Sequence, residues 1–188
     1  VKTPTRARSE PSHFASRISH FALLSLLALA GCAGDTRHEL LISVRDQRLV
    51  VLDEGEFVAA YPVSTSKFGL GSTPNSNHTP LGRFKVREKI GGDLPAGAVL
   101  KHRRPTGEIL GVNAPGRDPI VTRILWLDGQ DPGNRNAHSR FIYIHGTPEE
   151  STIGTPASYG CIRMRSRDVI ALYDRVGSGA RVRIQEDF

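Results

Sequence analysis

Cysteine is scarce in this sequence: 188 residues hold only Cys32 and Cys161. So small a number excludes a disulfide-built scaffold. Its seven histidines show no i, i+4 pairing of the kind that builds a metal site on a helix, so no metal and no cofactor are expected. There is no internal repeat, heptad or low-complexity tract. Nor is the apolar run Phe21 to Ala30, ten residues, long enough to cross a bilayer, which takes about 20. Gly69-Leu70-Gly71-Ser72-Thr73-Pro74 opens like a dinucleotide loop but lacks a third glycine and a following helix. The net charge of +6 would suit an anionic partner. Half of that excess, however, lies in residues 1–31, where Lys2, Arg6, Arg8 and Arg17 stand against one acid, Glu10, and no nucleic acid is expected.

What is present at the start is the pattern of a secretory leader: a basic stretch, the apolar core Phe21–Ala30 and small residues after it. Leu29-Ala30-Gly31-Cys32 resembles a bacterial lipobox, in which a peptidase cuts before the cysteine and its sulfur carries the lipid. The expected organisation is a leader over 1–31, a short tether over 32–38 and one domain over 39–188. The mature protein is expected to be exported and periplasmic, anchored to a membrane through Cys32. Ala33 stands where an inner-membrane retention signal would have Asp, which points to the outer membrane. With Cys32 lipidated, Cys161 is a lone thiol in an oxidising compartment, and a lone thiol kept there invites a catalytic reading.

From residue 40 the pattern has period two. Leu40, Ile42 and Val44 alternate, Asp46-Gln47 turns the chain, Leu49–Leu52 runs back, Glu54-Gly55 turns again and Phe57–Val63 follows. Ser64 to Pro80 reads as a long functional loop, closed by Thr79-Pro80-Leu81-Gly82. Further strands are expected over Arg83–Glu88, around Val99, and over Ile109–Val112, Val121–Leu127 and Phe141–His145, with a polar loop over Asp128–His138. One helix is expected, with Ser166 as N-cap, Asp168 in its first turn, Val169, Leu172, Tyr173 and Val176 on one face and Gly177 as its stop. Arg181–Ile184 alternates as a last strand. The fold class is therefore mostly β, a sandwich or barrel with one helix. Trp126 and Tyr143 are expected in the core, and His138 in a solvated loop.

The chemistry lies in Phe141-Ile142-Tyr143-Ile144-His145-Gly146-Thr147 and Ser158-Tyr159-Gly160-Cys161-Ile162-Arg163-Met164. A thiol is a strong nucleophile only as thiolate, so Cys161 needs a base such as His145, held at the end of an apolar strand. Gly160 lets backbone approach a substrate closely. Amides around Gly160 and Cys161 can stabilise an oxyanion, and Arg163 can grip a carboxylate.

His-Gly-Thr, a loop, then Ser-x-Gly-Cys-Ile-Arg resembles the signature of the L,D-transpeptidase catalytic domain, the YkuD family, over roughly residues 38 to 185. The resemblance implies an L,D-transpeptidase-like β-sandwich with its helix after the cysteine, and peptidoglycan stem peptides as substrate. It implies that Cys161 attacks the diaminopimelate carbonyl, that His145 is its base, and that the Gly146 carbonyl orients His145. Amides at Tyr159, Gly160 and Cys161 would form the oxyanion hole, Arg163 would hold a substrate carboxylate, and the Ser158 hydroxyl would shape the loop. The implied product is a thioester passed to an amine; the protein is expected to be a monomer. Two other readings stay open: a carboxypeptidase or endopeptidase on the same scaffold, and a non-catalytic wall-binding lipoprotein. One residue departs from the signature. The family has His before Gly-Cys, and this chain has Tyr159, a poor base near neutral pH.

Overall fold

The structure is a computed structural model and describes residues 34–188, together with Lys2. The leader core Phe21–Ala30 and the lipidation cysteine Cys32 lie outside the described residues.

The early alternation folds as expected into a meander: β1 (His38–Ser43), β2 (Arg48–Asp53) and β3 (Glu56–Pro62). Leu40, Ile42, Leu49 and Val51 point to one side and are fully buried; each contributes roughly 1.5–3 kcal/mol by leaving water. The chain's last strand, β10 (Arg181–Gln185), lies between β1 and β4 (Gly82–Ile90), parallel to the first and antiparallel to the second. β4 pairs with β7 (Val121–Gly129), which also pairs with β5 (Ala98–Lys101) and β8 (Tyr143–Gly146). The edge strand β6 (Arg104–Ile109) pairs with β5, and β9 (Ile162–Met164) pairs with β8 in parallel. The described residues thus form one branched ten-stranded sheet and a single α-helix, α1 (Ser166–Arg175). The fold is mostly β, as expected. Leu40, Ile42 and Ile184 share one core with Ile144, Ile162 and Met164, and Val169 and Leu172 of α1 close it.

Several expectations shift. The strand expected over Ile109–Val112 is instead β6, every residue of which is exposed. Its residues, RPTGEI, have no apolar face, so hydrophobic alternation could not mark it. The strand expected from Phe141 begins at Tyr143, because Phe141 sits at φ 57° and turns the chain. Ser166 is the first helical residue rather than the cap. Its N–H is satisfied from a distance, by Glu150 Oε1 at 2.8 Å, and its hydroxyl pairs with that of Thr122. Over its described part, the expected tether is bound to the domain. Asp35 accepts N–H groups from Arg37, His38 and Gly177, the last at 2.6 Å.

Candidate active site

β8 and β9 run side by side in register, Ile144 against Ile162 and His145 against Arg163. Cys161 is the residue before β9, at the mouth of the same strand pair. Apolar Ile144 and Ile162 face the core. The alternate residues lie on the opposite face, where Cys161 packs against the cluster of Ile124, Trp126 and Tyr143. The nucleophile and base expected from the sequence are therefore carried by paired strands. Among the described residues no hydrogen bond yet joins them; Cys161 Sγ donates to the Phe141 carbonyl at 3.3 Å.

His145 is 6% exposed. Its Nδ1 lies 2.8 Å from the Gly146 carbonyl oxygen. A carbonyl only accepts, so Nδ1 carries the proton and Nε2 keeps a free lone pair. Residue 146 has to be glycine: a Cβ there would come within 2.6 Å of the Val121 carbonyl oxygen on β7. Burial pushes the His145 imidazole down to about 4; the Gly146 contact opposes this, and the neighbouring Arg163 charge adds to it.

Cys161 is half-buried as a residue, yet its sulfur is packed deeply enough for burial to push the thiol up to about 11. The Tyr143 backbone N–H and the Arg140 guanidinium pull the other way. A thiol held high and an imidazole held low are both neutral at rest. This is a poised pair, not a preformed thiolate–imidazolium.

The turn before the nucleophile is locked by Ser158. Its hydroxyl donates to the Cys161 carbonyl at 2.6 Å and accepts the Gly160 N–H at 3.1 Å. Gly160 has φ 116°, and its carbonyl accepts from Thr79 Oγ1 at 3.0 Å. Because the Gly160 N–H is taken, it leaves the expected oxyanion set. The Tyr159 and Cys161 N–H groups have no partner among the described residues.

Two residues depart from the sequence reading. Arg163 does not reach the cleft: it is 3% exposed, with Nη2 3.0 Å from both Asp118 and Glu149. It also reaches the Thr147 and Thr152 hydroxyls and the Ala157 carbonyl. Gripping a substrate would break a buried network, so Arg163 is a structural cation. His138 is in the expected loop but only partly solvated. It stacks on Trp126 at 3.9 Å, and its carbonyl accepts the indole N–H. Trp126 and Tyr143 are buried, as expected.

Cys161 opens on a cleft of about 300 Å³ whose other walls include Asn75, Asn77, Arg140, Phe141 and Tyr159. Tyr159 is 62% exposed and leans outward on Phe68, with Lys67 Nζ 4.5 Å above its ring. Arg140 and Phe141 were missed by sequence reasoning. Phe141 has a positive φ, and its carbonyl accepts from the Cys161 sulfur. No motif signals Arg140, since only the folded 64–80 loop brings its partners to it.

A family model described as the L,D-transpeptidase catalytic domain (YkuD) matches residues 37–184. YqjB of Bacillus subtilis, which carries a provisional L,D-transpeptidase name, is 26% identical over 148 residues, 79% of this chain and 71% of that protein. YkuD of the same organism, named in the same provisional way, is 51% identical over 94 residues, covering 48% of this chain and 50% of that one. L,D-transpeptidase 3 from Mycobacterium tuberculosis, solved with a faropenem-derived adduct, aligns at TM-score 0.53 with 18% identity. That alignment covers 80% of this chain and 60% of the mycobacterial one, and at this identity it shows the fold alone.

Proposed function

The chain belongs to the L,D-transpeptidase catalytic domain family, and we propose that it is a cysteine acyltransferase acting on peptidoglycan stem peptides. Cys161 attacks the diaminopimelate carbonyl carbon. The S–C bond forms as the thiol proton passes to His145 Nε2, and the carbonyl oxygen becomes an oxyanion. The Tyr159 and Cys161 N–H groups stabilise that charge. Collapse breaks the C–N bond, and His145 returns the proton to the departing amine of D-Ala, leaving a thioester. An acceptor amine then gives its proton to His145 and attacks the thioester; the sulfur leaves and is reprotonated.

The observation that carries this reading is the pairing of β8 with β9, which sets a carbonyl-oriented imidazole beside the strand that begins after Cys161. Because both groups rest neutral, proton transfer is coupled to attack rather than completed beforehand.

The test is an exchange assay. Purified protein is given a tetrapeptide stem and a different D-amino acid, and products are weighed by mass spectrometry. Release of D-Ala with incorporation of the added amino acid is expected, and both should vanish in Cys161→Ser. Release without incorporation would make the protein a hydrolase. No release, with peptide still bound, would make it a wall-binding protein.

The proposed setting is the periplasmic face of the outer membrane, reached through the leader and lipidation of Cys32. It rests on the sequence pattern at 21–32. Loss of labelled-lipid incorporation in Cys32→Ala tests it.

A further inference from the structure

With Arg163 walled into the interior, the cleft needs another group to recognise an anionic peptide. We propose that Arg140 is that group: its guanidinium forms a carboxylate subsite beside Cys161 and receives the terminal carboxylate of the residue that the thiol displaces.

Four observations carry this. Arg140 and Cys161 line the same cleft, and no Asp or Glu lines it with them. Arg140 is fastened: Nη1 donates to the Gly71 carbonyl at 3.2 Å and Nη2 to the His78 carbonyl at 2.8 Å. Those two bonds fix the plane of the fork and leave three of its five N–H groups uncommitted. Among the described residues Arg140 has no carboxylate partner, whereas Arg163 has two. Finally, Arg140 is half-buried, and burial disfavours its charge. A partly desolvated, immobile and unpaired guanidinium is a preorganised receptor for a planar carboxylate.

The position suits the leaving residue. Its terminal carboxylate is separated from the carbonyl under attack by only the amide nitrogen and one Cα. Because Arg140 and Cys161 line one cleft, a carboxylate that near to the attacked carbonyl falls in the space that Arg140 borders. Selection for a free C-terminus follows: an internal peptide bond at the same place would leave Arg140 unpaired and half-buried.

This inference rests on the proposed acyl transfer, so its test avoids catalysis. The Cys161→Ala protein is titrated by calorimetry with two stem tetrapeptides, one ending in D-Ala as the free acid and the other in D-Ala amide. The acid is expected to bind at least about tenfold more tightly. Adding Arg140→Gln should abolish that preference by weakening the acid alone. A measurement without substitution at 140 stands beside it: the Arg140 Nε–H resonance should shift with the acid and not with the amide. An acid preference that survives Arg140→Gln, or a resonance indifferent to the acid, overturns the subsite. Arg140-dependent acid binding with no D-Ala release by the intact protein would overturn the acyl-transfer reading and leave the subsite standing. Failure to bind either peptide would overturn both.

Discussion

The inner wall of the site and its outer rim use the same kind of residue in opposite ways. On the inner wall Arg163 is almost sealed from water and holds Asp118 and Glu149 together with two threonine hydroxyls. On the rim Arg140 touches only backbone carbonyls and faces an open cleft. The inner wall is a largely paired network, with only the Arg163 Nε left without a partner among the described residues, and it ties β9 to the segments at 118 and 147–157. The rim is an unfinished one, and a group with unspent donors at a cleft is what a ligand completes. Sequence position gives no hint of the difference: the arginine two residues from Cys161 is the buried, ion-paired one.

The largest effect should come from breaking the inner wall. Arg163→Met leaves Asp118 and Glu149 without their cation; the guanidinium is sealed but the carboxylates are partly exposed, so the cost should fall toward the low end of the about 3–5 kcal/mol of a buried pair. Burial already raises the Asp118 carboxyl above its usual range, while Thr147 and Arg163 restrain it. Without Arg163 it rises further, and the folded state then holds a proton that the unfolded state has released. Urea melts of Arg163→Met should therefore show stability partly recovered as pH falls, since the folded pKa lies above the unfolded one. A loss under about 1 kcal/mol would put Arg163 with the rim cations and restore it as a ligand for substrate.

The next effect concerns the poised pair, which belongs to neither side. Unfolded His145 takes a proton near pH 6.5, while the folded imidazole refuses it until about 4. Stability is then lost as pH falls through that window, by about 3 kcal/mol at most. Unfolded Cys161 loses its proton near 9.0 and the folded thiol keeps it to about 11, so stability is lost again as pH rises through that range. Melts across pH should show a plateau between the two limbs. His145→Gln should flatten the acid limb and Cys161→Ala the alkaline one. The same neutrality predicts slow alkylation of the resting thiol by iodoacetamide at pH 7.5, climbing above pH 9. Alkylation already at its maximum near pH 7 would mean a preformed ion pair and a different resting site.

Much of this was legible in the chain. The period-two runs at 40–52 mark the meander because one face of those strands is buried and the other is not. The proposed pair His145 and Cys161 stands out because an apolar strand ending in His, and a glycine turn ending in Cys, are local patterns. What could not be read is whatever depends on distant segments. The Ser166 N–H is capped by Glu150, sixteen residues back. Every β6 side chain is exposed, so no apolar alternation marks the strand. His138 is polar in sequence but is drawn onto Trp126. The two arginines exchanged roles because burial belongs to the fold: Asp118 lies far from Arg163 in sequence and 3.0 Å from it in space.

The smallest effect should come from the rim residue that departs from the family signature. The Tyr159 ring is mostly exposed and packs on Phe68 at 5.3 Å beneath Lys67, whose Nζ donates to its hydroxyl at 3.2 Å. Only the backbone N–H of residue 159 belongs to the proposed oxyanion site, and that N–H does not depend on the side chain. Tyr159→His should thus alter stability by no more than about 0.5 kcal/mol, as expected of an exposed position. Thioester formation, followed by quenched mass spectrometry with a stem tetrapeptide, should change by less than about tenfold, the equivalent of roughly 1.4 kcal/mol in the barrier. A gain of several orders of magnitude would mean that an imidazole at 159 reaches the reacting atoms after all. The rim would then be part of the proton-transfer machinery, and the division between a wired interior and a recognition surface would fail at its most exposed point.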